Sequence, residues 1–160
     1  ILKNMKRLLQ TVFPKEFFTN PVYLRALLFS ALYLGTLIGQ LFTFEKFGAI
    51  VTAYDLPGGV FTVAVVTWLL PLTALLALPF LLSMRGLAKP IQTISRTAVV
   101  ALPLYWLVIG LWLSIIVGTP INTGLFGASM HTSAGAWLVL FSFLWLWAAL
   151  ATVRELPERT

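Results

Sequence analysis

Residues 60–84 read VFTVAVVTWLLPLTALLALPFLLSM, an unbroken run without one charged side chain. As α-helix, at about 1.5 Å per residue, it is longer than the roughly 30 Å of hydrocarbon in a bilayer. Three further apolar blocks of span length stand at about 21–44, 97–117 and 136–153. Of the 160 residues 59% are hydrophobic and only 10% charged, whereas soluble domains carry about a quarter charged residues. Water cannot be the main solvent of such a chain. The sequence predicts an all-α integral membrane four-helix bundle over residues 21–153.

The segments between the blocks set their ends and their sidedness. Residues 1–20 mix Lys3, Lys6, Arg7 and Lys15 with Leu8, Leu9, Val12, Phe13, Phe17 and Phe18. This is the pattern of an amphipathic segment lying in the headgroup plane, interrupted at Pro14. Residues 45–59 read as a loop closing in the turn Leu56-Pro57-Gly58-Gly59, 85–96 as a basic break, 118–135 as a polar loop and 154–160 as a charged tail. Pro71, Pro79 and Pro103 should kink their helices, with Thr67 or neighbouring helices as candidates to satisfy freed carbonyls. An even number of spans gathers ten of the eleven Lys and Arg on the side of the two termini and leaves Lys46 alone on the other. The positive-inside rule then predicts a multi-pass protein of the cell (cytoplasmic) membrane with both termini cytoplasmic and both polar loops outside. The +6 charge serves topology and anionic lipid; no clustered face with base-stacking residues suggests nucleic acid.

The outward half holds a candidate polar cluster: Gln40, Glu45, Tyr54, Asp55, Asn122 and His131. His131 is the only histidine, and a closed metal site needs three or four ligands, so a surface role is the ordinary reading. Glu45, Lys46 and Asp55 could bind a polar ligand, though charges at an interface commonly mark helix ends. Gln40 lies within a span, where an amide ordinarily bonds another helix. Ala31, Gly35 and Gly39 form a small-xxx-small stripe suited to packing in the bundle or against another subunit. The six Trp suit interface and core packing, with stacking on a quinone or pigment as the alternative. No catalytic triad, phosphate loop, HExxH or carboxylate pair is present, and Cys is absent, which excludes thiol redox chemistry within the chain.

Two stretches carry a family resemblance. Phe44-Glu45-Lys46-Phe47 followed by Tyr54-Asp55-Leu56-Pro57, and Asn122-Thr123-Gly124-Leu125-Phe126-Gly127, resemble the corresponding segments of the DoxX/MauE group of four-helix membrane proteins. The second stretch is similar to that group's Asn-Cys-Gly-Cys-Phe-Gly motif, with Thr123 and Leu125 at the cysteine positions. This chain would be a Cys-less variant, and the family's acidic residue in the second helix has no counterpart at Pro71-Leu72-Thr73. The resemblance implies a place beside redox enzymes without the thiol chemistry.

The expectation is therefore a non-enzymatic accessory, anchoring or assembly subunit of a larger, redox-related membrane complex. Its partners would be membrane lipids and other subunits, with no cofactor of its own. The alternative is a module that holds a quinone, carotenoid or other lipid-like molecule between kinked helices.

Overall fold

The computed structural model describes residues 20–84, 87–118 and 121–156. The interfacial segment expected over residues 1–20 lies, but for Asn20, outside the described residues, as does 157–160 of the expected tail. The helices are α1 (Pro21–Phe42), α2 (Phe44–Thr52), α3 (Gly59–Leu81), α4 (Lys89–Trp112) and α5 (Ala136–Glu155), and a π-helical turn, Leu113–Val117, continues α4. Four of these, α1, α3, α5 and α4 with its π turn, are long and apolar enough to cross a bilayer. The molecule is an all-α, multi-pass membrane bundle.

Local chemistry explains the helix starts. The side chain of Asn20 accepts from the Val22 N–H at 3.0 Å and Pro21 opens α1, a capped start in which the missing donor of Pro costs nothing. Each span then turns a narrow stripe inward. In α1 it is Tyr23, Ala26, Tyr33, Leu37 and Gln40, at three-, four- and seven-residue steps. Outward stand Leu28, Phe42, Phe61 and Trp147, each more than half exposed. Lipid tails accept such a surface as readily as the protein interior does.

Expected boundaries of three kinds are corrected. The first falls in 45–59, where Phe44–Thr52 is helical. Phe47 and Val51, four residues apart, are buried while Glu45, Lys46 and Ala49 face out. The charges that suggested a loop are one face of a short amphipathic helix. The second is the start of the third span, at Lys89 rather than about 97. Pro90 sits in the first turn, where proline is tolerated, so a basic, Pro-containing stretch read as a break is a helix start. Its 29 residues to Val117 exceed the roughly 20 that cross hydrocarbon, which carries Lys89 clear of the apolar zone. The third kind is a shift of two or three residues at span ends: α1 stops at Phe42 rather than 44, α3 at Leu81 rather than 84, and α5 runs past Val153 to Glu155.

Side-chain hydroxyls bond the backbone on either side of the prolines of α3. The Thr67 hydroxyl donates to the Val63 carbonyl (2.7 Å) and Thr73 to Leu69 (2.6 Å), so Thr67 does not reach a carbonyl freed by Pro71. Beyond Pro79, the Phe80 N–H donates across the bundle to Ser95 Oγ of α4 at 2.9 Å. Packing runs α1 to α3 to α4 to α5, and α1 meets α5 at only a few points. That seam is bridged at one end by an exposed ion pair between Arg25 and Glu155 and midway by Tyr33 set edge-on to Trp145, with centroids 5.1 Å apart.

Ser95→Ala should lower stability by roughly 0.6–1.7 kcal/mol, the range of interhelical bonds in membranes, because the Phe80 N–H loses its acceptor. Thr93→Ala, exposed on the same helix, should leave the unfolding midpoint in mixed micelles unchanged; equal effects of the two would refute the assignment.

Candidate functional site

The polar loop between α4 and α5 is an ordered hairpin that plugs one end of the bundle. Thr123 N–H donates to the Thr132 carbonyl (2.7 Å) and Ala134 N–H to Ile121 (2.9 Å), around a bridge between Asn122 and Ser133. Asn122 holds the bend from inside: its Oδ1 accepts from Gly124 N–H at 3.0 Å and Thr132 N–H at 3.2 Å. The hydroxyls of Thr123 and Thr132 lie 2.6 Å apart and share a hydrogen bond. A second turn, Gly127 N–H to the Gly124 carbonyl at 2.9 Å, drives Leu125 into the core, where it is fully buried.

Three contacts seat this plug. Gln40 Nε2 donates to the Leu125 carbonyl at 3.3 Å. Thr43, at the junction of α1 and α2, donates to the Gly39 carbonyl and accepts from Ala128 N–H, both at 2.8 Å. Tyr54 donates its hydroxyl to the Thr123 carbonyl. Between them, backbone meets backbone. A Cβ on Gly39 would run into the Phe126 carbonyl, and one on Gly127, which sits at φ 75°, would strike the Gly39 carbonyl. Complete burial pushes the Tyr54 phenol above its ordinary range, since apolar surroundings disfavour phenolate. It stays a neutral donor.

The six residues expected to cluster divide in two. Gln40, Tyr54 and Asn122 converge on the hairpin and are used in holding it. Glu45, Asp55 and His131 are exposed, and none is joined to that network; among the described residues no group of three metal-ligating side chains occurs. The small-residue stripe also divides. Gly39 meets the hairpin, but Ala31 and Gly35 face outward and a Cβ on Gly35 would touch nothing within 4 Å. Thr43, Gly127 and the Thr123–Thr132 pair were missed. Hydroxyl residues spaced along a Gly-rich loop were the signal that could have found them.

A second feature lies beside the hairpin end. Trp112 Nε1 donates to the Tyr54 carbonyl at 2.9 Å, and its ring helps wall a cleft of about 300 Å³ between α3 and α4. Compared with family models, with curated proteins and with solved structures, the chain matches none.

Gly39→Ala should cost roughly 1–3 kcal/mol, as overpacking does, while Gly35→Ala should be neutral or slightly stabilising; thermal unfolding of the matched pair checks this. Because the folded-state pKa of Tyr54 is raised, its contribution is whole below the unfolded value of about 10 and falls as pH climbs above it. Tyr54→Phe should flatten that alkaline limb of the stability curve, and an unchanged limb would assign it to another group.

Proposed function

We propose that the chain is a non-catalytic accessory, anchoring or assembly subunit of a larger redox-related complex in the cell membrane, with the hairpin as its docking surface. The observation that carries this reading is where the polar side chains go. Gln40, Thr43, Tyr54, Asn122, Thr123 and Thr132 are all engaged in building the plug, so no convergent acid, base or nucleophile remains there among the described residues. What the plug presents is an exposed tip, Ser129, Met130 and His131, on a braced support. Exposed Met and His on a rigid frame suit recognition better than turnover.

The redox association rests on the resemblance to the DoxX/MauE group, and the missing thiols fit a part that holds rather than reacts. The distribution of Lys and Arg supports cytoplasmic termini and an external hairpin. The arc of helices fits this topology, since α1 begins beside the end of α5 at the Arg25–Glu155 pair.

Two measurements test the reading. The chain has no Cys, so single cysteines at Ser129 and at Thr93 report sidedness cleanly: an impermeant maleimide should label the first in intact cells and the second only after permeabilisation. Gentle extraction followed by native mass spectrometry should find the chain with other subunits, and changing Met130 and His131 to Ala should release them without loss of fold. A chain that extracts only as a lone monomer would refute the assignment.

A further inference from the structure

The cleft between α3 and α4 is walled by Val66 and Leu69 on one side and Tyr105 and Val108 on the other, with Leu56 and Pro57 as its lip at the hairpin end. Two properties narrow what can enter. Its surface is carbon: the Trp112 Nε1 donor is taken by the Tyr54 carbonyl at 2.9 Å, and the Thr62 hydroxyl by the Pro57 carbonyl at 2.8 Å. A ligand carrying carbonyls or hydroxyls inside would forfeit their hydrogen bonds, a penalty that a bare hydrocarbon chain does not meet. The volume, about 300 Å³, is at the low end of ligand sites and leaves room for part of a single acyl chain.

The second property is charge at the lip. Asp55 immediately precedes Leu56, is exposed, and is held in the left-handed region at φ 48°. Among the described residues it has no ion-pair partner. Asp55 is thus one residue along the chain from the lip, and an unpaired carboxylate beside an emerging headgroup favours a cation. We propose that the cleft retains one acyl chain of an amine-bearing phospholipid from the leaflet at the hairpin end, with its ammonium set against Asp55. This site does not depend on the docking reading. A lipid-free chain that still captures its partner subunits would overturn this proposal alone.

The test uses the full chain, extracted from bilayers of equal phosphatidylethanolamine and phosphatidylglycerol and examined by native mass spectrometry. One phospholipid per chain is expected, with the ethanolamine lipid enriched roughly two- to fivefold, the scale of an exposed ion pair. Asp55→Asn should abolish the enrichment and keep the lipid. Val108→Trp, at the cleft wall, should abolish retention, whereas Leu140→Trp on the exposed face of α5 should not. If Val108→Trp fails to fold, Val66→Phe reads the same loss. Absence of bound lipid, retention without headgroup preference, indifference to the filling variants, or a retained isoprenoid in its place would each overturn the assignment.

Discussion

Backbone meeting backbone at Gly39 and Gly127 is the constraint on which the hairpin end depends. A helix that ends against non-helical chain must satisfy that chain's N–H and C=O groups, for lipid offers no replacement. Hydrogen bonds of side-chain length can be made only if the two chains come this close. Glycine at both positions permits the approach, and Gln40, Thr43 and Tyr54 then reach carbonyls and an N–H of the plug directly. The short helix α2 follows from the same geometry. Phe47 packs beside Gly124, where a Cβ would come within 2.9 Å of its ring, so α2 lies over the plug and closes it from the side.

Inside the spans the priorities reverse. Among the described residues, Trp106 Nε1, Ser142 Oγ and Gln40 Oε1 are buried without a hydrogen-bond partner. An unmade bond costs free energy, yet these groups sit where large rings and small polar residues fill the interior: Trp106 is fully buried, and the nearby Trp145 meets Tyr33 edge-on and Phe141 at a tilt. Volume is satisfied first in the spans, hydrogen bonding first in the hairpin. Tyr33 shows both, with its ring against Trp145 and its hydroxyl donating to the Val99 carbonyl at 2.5 Å.

The spans were legible because the apolar blocks are long and charge-free. Helix α2 and the start of α4 were hidden by charge and proline, which mark helix ends as often as loops. Within the bundle the small-residue stripe is used only at Gly39, for a reason of angle. Four residues overshoot a turn of 3.6 by about 40°, so Ala31 and Gly39, eight apart, differ by about 80° around α1. A stripe at that spacing spirals from lipid to interior, and only its last member arrives. Of the candidate site, Gln40 and Asn122 could be singled out by type, but their shared purpose needed the fold. No spacing rule links a glutamine in α1 to a carbonyl at residue 125.

The two ends of the α1–α5 seam are held by different physics. At one end Arg25 and Glu155, with side chains 47% and 43% exposed, form a pair that solvent screens and that contributes about 0–1 kcal/mol. At the other, the hairpin crosses from α4 to α5 and is bonded to α1 by buried groups that have no alternative partner in lipid. The seam is therefore firm where the plug sits and loose where the charges gather. A tip carried at the firm end is preorganised, and a preorganised surface loses little conformational entropy in any contact it makes. Any breathing of α1 against α5 falls to the opposite end, away from the tip and from the lip at Leu56.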